Sequence, residues 1–394
     1  MEPLPSAESS PALVETRERD GSLRWYASRE PLILLVLSTL AVVFFLSVSG
    51  LSRAYFTQQK ALGEKWFQQA SADAQQGRLE QAVKDYQTAE LYSRGNFDYE
   101  FGLAKALAAL NRTDEAFSYL ESLREQQPDN AEVNLEMARI RAKQGDETEA
   151  IRFYHNAIYA VWPSNPDAHR RAARLELVEF LLHQNDRTQA QAELIAMVAN
   201  LPPNSPLHAR AGELFLQVPD YEHSLAEFRQ VLKSNPHDAN ALAGAGRAAF
   251  ELANYASAER YLQAAVAANR DDTSSAELLK LTSLVLEMDP YVRHLTAARR
   301  SEIAVNAFEI AGDRLQACML EGNSPRAQQG SLAGRWKEMK PGVTERRLQR
   351  NPDMVDEVMN LVFAIEKQTA QKCPPGDKDQ ALALVAKMHE GSER

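Results

Sequence analysis

The side chains that most often carry chemistry are sparse and scattered in this sequence. The eight histidines, His155, His169, His183, His208, His223, His237, His294 and His389, include no pair at i, i+4 with a glutamate between them, the spacing of a helix-borne zinc site. No phosphate-cradling glycine loop, G-x-S-x-G elbow or EF-hand loop occurs. The reading is therefore no catalytic residue, no metal site and no cofactor. Two cysteines rule out a disulfide-dense scaffold and a four-cysteine zinc site, leaving one candidate bridge, Cys318 to Cys373. Asn111-Arg112-Thr113 matches a glycosylation acceptor, but Asn111 serves better as a turn residue. Between Arg335 and Arg350 six bases, Arg335, Lys337, Lys340, Arg346, Arg347 and Arg350, surround Trp336 and oppose only Glu338 and Glu345. That segment is either a docking patch for anionic lipid or an acidic partner, or a solvated loop, and charge runs favour the loop.

The 394 residues carry 54 acidic and 44 basic side chains, a net charge of -10 that offers general polyanion binding no electrostatic basis. No nucleic acid is expected as a partner. From Pro31 to Ser52 no charge appears, and this run would rise ~33 Å as a helix, enough to cross a bilayer core of about 30 Å. A cleaved signal is the rival reading, but the polar leader that ends at Glu30 and the apolar core from Pro31 to Ser52 are both longer than signals favour. Residues 1–30 read as a disordered polar tail, 31–52 as a transmembrane helix and 53–62 as a linker helix. Arg17, Arg19, Arg24 and Arg29 precede the span, against Arg53, Lys60 and Lys65 after it, a slim bias toward a cytoplasmic tail and an extracytoplasmic soluble part.

Beyond the span the sequence repeats itself. Small residues recur in matching contexts at Ala82, Ala116, Ala150, Ala190, Ser224 and Ala258, at a constant interval of about 34 residues that is lengthened once, between Ala150 and Ala190. The extra length falls near Ser164 to Arg170. Four places past each reference position stands Tyr86, Leu120, Tyr154, Leu194, Phe228 or Leu262, and seven past stands Ala89, Leu123, Ala157, Met197, Val231 or Ala265. Offsets of 4 and 7 lie on one helical stripe, so each unit contains an amphipathic helix. Twelve places before each reference position are Ala70, Ala104, Ala138, Val178, Gly212 and Gly246, where a preceding helix can approach closely. Turns are expected at Gly77, Asn111, Gly145, Asn185, Asp220 and Asn254, so the unit reads helix, turn, helix, turn.

At these positions the sequence resembles the tetratricopeptide repeat family, most closely over residues 131–164 and 205–272, and Trp66 occupies the family's first aromatic position. With the span, the chain resembles membrane-anchored, bacterial-type members. Six units are read, 63–96, 97–130, 131–164, 171–204, 205–238 and 239–272, with Asp73 and Arg141 replacing the usual first-helix aromatic. The resemblance implies an all-α, right-handed α-solenoid whose first helices line a groove for protein or peptide partners. The fifth position of each unit would face that groove: Phe67, Phe101, Leu135, Leu175, Ala209 and Ala243. The ninth would set its polarity: Ser71, Lys105, Arg139, Glu179, Glu213 and Arg247. The basic residue and asparagines with which the chaperone-tail subfamily clamps a terminal carboxylate are missing.

Residues 273–394 leave the register and read as a helical capping region with a degenerate repeat around Ala317. Helices are expected up to Asp289-Pro290, from about Tyr291 to Ala311 ahead of Gly312-Asp313, after Asn351-Pro352, and over 381–389. Two functional readings compete: a membrane-anchored protein–protein interaction scaffold that recruits partners at the cell envelope, or an enzyme whose active site lies in 273–394. No motif in that region supports the second.

Overall fold

The structure is a computed structural model and describes residues 29–321 and 331–389. The described residues are all-α, with no β-strand among them. Two compact units divide the chain, one ending at Ala160 and the next beginning at Val161.

In the first unit, α1 (Arg29–Gln75) runs unbroken from the apolar run into the first repeat. Its apolar part is long enough to cross a membrane and none of it is buried; Phe44 and Phe45, for example, stand fully out of the protein. The span, the expected linker and the first repeat helix are thus one rod. It is followed by α2 (Leu79–Tyr92), α3 (Phe97–Ala109), α4 (Thr113–Gln126), α5 (Ala131–Gln144) and α6 (Glu147–Tyr159). Each helix packs on the next, and first helices also touch, α1 on α3 and α3 on α5. In the second unit come α7 (Pro166–His183), α8 (Arg187–Val198), α9 (Leu207–Gln217), α10 (Tyr221–Ser234), α11 (Ala239–Glu251), α12 (Tyr255–Ala268) and α13 (Thr273–Met288). Here too α9 touches α11 and α11 touches α13.

Every hairpin turn is built the same way. The amides of Arg78, Arg112, Asp146, Asp186, Asp220 and Asn254 donate to the carbonyls five places earlier, at Asp73, Leu107, Arg141, Leu181, Phe215 and Ala249. This is the Schellman closure, which needs a left-handed residue just before the donor. Gly77, Asn111, Gly145, Asn185, Pro219 and Ala253 hold those positions, all with positive φ. The residue after it then caps the second helix where its side chain allows. Asp146, Asp186, Asp220 and Asn254 accept from the amides of Glu149, Gln189, His223 and Ser257.

Between the helices, the small positions Ala70, Ala104, Ala138, Gly212 and Gly246 and the reference residues Ala82, Ala116, Ala150, Ala190, Ser224 and Ala258 are fully buried. Ser224 is accommodated because its hydroxyl donates to the Gly212 carbonyl at 2.9 Å. The two departures from the repeat pattern are each compensated by a specific partner. Asp73, buried, accepts from the Arg78 guanidinium, and the Arg141 guanidinium lies 3.8 Å from the centre of the Phe117 ring.

The remainder of the second unit comprises α14 (Ala297–Glu321), α15 (Leu332–Met339), a 3₁₀ turn (Lys340–Gly342), α16 (Glu345–Arg350), α17 (Asp353–Ala370) and α18 (Asp377–His389). Two expectations are corrected here. The helix expected over 291–311 starts at Ala297 and continues through Gly312 to Glu321. Gly312 does not end it, because that glycine makes room for Trp336: a Cβ would stand 2.2 Å from Cζ2. The basic segment 335–350 is two short helices joined by a 3₁₀ turn rather than a loop, anchored where Trp336 stacks on Phe308 and donates from Nε1 to the Phe308 carbonyl at 3.0 Å. Arg335, Lys337, Lys340, Arg346, Arg347 and Arg350 remain exposed around that anchor.

Candidate functional site

The first helices bring the fifth and ninth repeat positions onto one side of each hairpin, because offsets of four fall on the same helical stripe. In the first unit Phe67 stacks on Tyr99 with centroids 5.1 Å apart and lies 5.8 Å from Tyr86. Phe101 stacks on Phe97 at 5.9 Å, and Lys105 stands over it with Nζ 5.4 Å from the ring centre. Phe101 and Leu135 keep only 9% and 8% of their surface, so they form a floor rather than projecting side chains. Arg139 reaches Glu136 at 2.7 Å on the same helix.

In the second unit Leu175, Ala209 and Ala243 are half-buried. Glu179 and Glu213 share one cation: Arg210 donates to Glu179 at 2.7 Å and approaches Glu213 at 3.3 Å. The two acids of the sequence reading thus share one positive charge, from a residue that reading did not single out. The hydrogen bond to Glu179 holds the Arg210 guanidinium pKa above its ordinary value.

Arg247 lies elsewhere, exposed on the wall of a cavity of about 720 Å³. Leu216 of α9, Tyr221 of α10, Arg247 and Glu251 of α11, and Ser274, Glu277, Leu278 and Leu281 of α13 line it, with Asp377 and Gln380 of α18 at one end. Lys280 also lines it and pairs with Asp377. Burial, and then the Glu251 carboxylate, push the Tyr221 phenol pKa up. The lining alternates apolar side chains with charges of both signs, a surface that suits a peptide carrying polar groups on an apolar strip. Extending the repeat interval once more would have found it: Ser274, Glu277 and Leu281 continue the series of Asn240, Ala243 and Arg247. The count ended at Asp272 because residues 273–394 leave the register, the reference position after Ala258 being held by Val292 instead of a small residue.

Cys318 on α14 and Cys373 after α17 are joined, with Cα atoms 5.9 Å apart. Among the described residues no group of His, Cys, Asp and Glu is arranged to hold a metal ion.

The family described as tetratricopeptide repeat matches residues 73–140, 109–160 and 216–281. No curated protein matches the chain. Solved structures that resemble it include YrrB, described as a tetratricopeptide-repeat protein with an unusual peptide-binding site, at 16% identity and a TM-score of 0.39, over 48% of this chain and 95% of that one. PilF of Pseudomonas aeruginosa resembles it at 16% identity and a TM-score of 0.40, over 56% of this chain and 97% of that one. The C-terminal part of a repeat-containing protein of Cytophaga hutchinsonii does so at 13% identity and 0.44, over 60% and 92%.

Proposed function

This chain is a tetratricopeptide-repeat protein, and from that premise we propose that it is a non-catalytic, membrane-anchored scaffold that recruits partner proteins at the cell envelope. Proteins built on these repeats mediate protein–protein interaction, because stacked hairpins leave a row of first-helix faces unburied. The observation that carries the reading is the cavity of about 720 Å³ walled by first helices α9, α11 and α13. It is wide enough for a peptide and has polar groups placed to orient one. The partner is a helix or extended peptide that meets Arg247 in this cavity, with Leu175, Glu179 and Glu213 as further candidate positions of the second unit and Phe67, Phe101, Lys105, Leu135 and Arg139 as a candidate surface of the first unit by itself. The anchor is the exposed apolar stretch of α1, a single pass that places everything after it on one side of the membrane. The slim charge bias supports the extracytoplasmic side for the repeats.

Affinity capture of the intact chain from its own membrane tests this, comparing wild type with Lys105→Glu and Arg247→Glu. Both side chains are exposed, so the folded protein should melt unchanged. Loss of a specific captured protein supports the groove; an identical captured set in both variants removes it.

A further inference from the structure

At the start of α18 two cavities meet. The large one shares Leu281 and Gln380 with a second of about 410 Å³ that is walled mainly by apolar side chains, among them Phe250, Ala370 and Leu384. At its inner end are three ionisable groups, Arg314 of α14, Glu366 of α17 and Asp379 of α18, with the exposed Lys387 of α18 at its rim.

Every nitrogen of the Arg314 guanidinium donates a hydrogen bond. It donates from Nε to Thr369 Oγ1 at 2.7 Å, from Nη1 to Asp379 at 2.5 Å and the Pro374 carbonyl at 3.4 Å, and from Nη2 to the Cys373 carbonyl at 3.2 Å. Glu366 is 2% exposed; its Oε2 lies 3.3 Å from Arg314 Nε, while its Oε1 is out of water with no hydrogen-bond partner. Two carboxylates therefore face one guanidinium, and one buried oxygen has nothing to accept from. A buried polar atom left without a partner is unfavourable by roughly 1–3 kcal/mol, and more when charged. A ligand that donates there recovers it.

We propose that this cavity receives the side chain of a lysine from the partner segment that lies in the larger cavity next to it. The proposal deepens the recruitment reading and rests on it. A lysine suits the walls: its apolar stem lies along Phe250 and Leu281 while its compact ammonium reaches a single oxygen. An arginine suits them less, because its planar fork wants both carboxylate oxygens and Oε2 already faces Arg314. Burial, then the Asp379 charge, raise the Glu366 pKa to about 7 against the opposing pull of Arg314, so above neutrality the inner end, with two carboxylates to one guanidinium, carries net negative charge and attracts a cation past the Lys387 ammonium at the rim.

The test uses the full chain at pH 8, with the methyl signals of Leu281 and Leu384 followed by NMR while n-butylammonium is added, and n-butanol as the uncharged control. The site predicts saturable shifts with butylammonium at least tenfold tighter than butanol. Glu366→Gln should bring that ratio to within twofold. Ala383→Leu, an exposed change at the mouth, should block both ligands without altering melting. Equal binding of the two, no binding of either, or a preference that survives Glu366→Gln overturns the site. A pair of acetylated, amidated Leu-Ala-X-Ala-Leu peptides, with lysine or norleucine at X, then identifies the source. A tenfold preference for lysine supports a partner side chain, whereas equal peptide binding beside a butylammonium-selective cavity makes it a free-amine site and overturns the proposal. A chain that still loses its captured protein on Lys105→Glu and Arg247→Glu but ignores butylammonium retains the groove and loses only this site.

Discussion

The ring of Phe228 occupies the space that a side chain on Gly244 would need: a Cβ built there would stand 2.3 Å from Cζ. Gly212 flanks the same ring from α9, with its Cβ position 2.9 Å from Cζ. The ring of α10 is therefore clasped by glycines of the first helices on either side. Gly244→Ala should overpack this contact and destabilise by about 1–3 kcal/mol, despite alanine's better helix propensity. Denaturant unfolding of wild type and variant measures it, and an unchanged midpoint would show that the ring moves aside freely.

The turns make opposite predictions at two successive positions of the same motif, the left-handed residue and the cap that follows it. Ala253 holds a left-handed conformation, φ 55°, where the same place in other repeats is Gly77, Asn111, Gly145, Asn185 or Pro219. Such a conformation is unfavourable by roughly 1–2 kcal/mol for an L-residue with a Cβ. Ala253→Gly should therefore stabilise by several tenths to about 1 kcal/mol after glycine's greater unfolded-state entropy is subtracted. Asp146→Ala removes the cap on α6 and should destabilise by about 1 kcal/mol. Thermal melts of the two variants should move in opposite directions.

These turns also explain what could be read in advance. The repeat was legible because the same packing demand recurs in every unit: a small residue where two helices cross, a large one four places on, and a left-handed residue to close each hairpin. Side-chain compensation was not legible, since Arg141 over Phe117 and Arg210 against Glu179 depend on partners that belong to the preceding repeat rather than on local pattern. Gly312 read as a helix end because sequence alone does not show that Trp336 arrives against it. The Arg314, Glu366 and Asp379 group was invisible for the same reason: three elements contribute one residue each, and only tertiary packing joins them.

The pairing of Cys318 with Cys373 carries a prediction about compartment. The bond closes a loop with a sequence separation of 55 residues, and Arg314 holds the carbonyl of Cys373 beside it. In the chain-entropy account such a closure contributes roughly 4 kcal/mol. Alkylation of the non-reduced protein in its native membrane should find no free thiol, as expected for repeats in an oxidising, extracytoplasmic space. Two reactive thiols would place the repeats on the reducing side. Reduction should lower the melting temperature of the second unit before that of the first, since both cysteines belong to the second.

Glu366 makes stability depend on pH in the direction opposite to most carboxylates. Its pKa is raised, chiefly by burial and then by Asp379, to about 7, while in the unfolded chain it returns to its ordinary value near 4.5. Between those values the folded state holds a proton that the unfolded state has released, so stability falls as pH rises through this window. Below about 4.5 both states are protonated and above about 7 both are ionised, and the contribution is flat on either side. The difference is on the order of 3 kcal/mol at most. Arg314 and Asp379 pair with each other and face Glu366, so Glu366→Gln keeps the packing and one accepting oxygen while removing the titration. Unfolding free energies measured for both proteins between pH 5 and pH 8 should converge toward the acid end and separate toward neutrality, with the variant losing less stability as pH rises. Parallel curves would mean that Glu366 is ionised throughout the range and that Arg314 alone suffices to hold its charge.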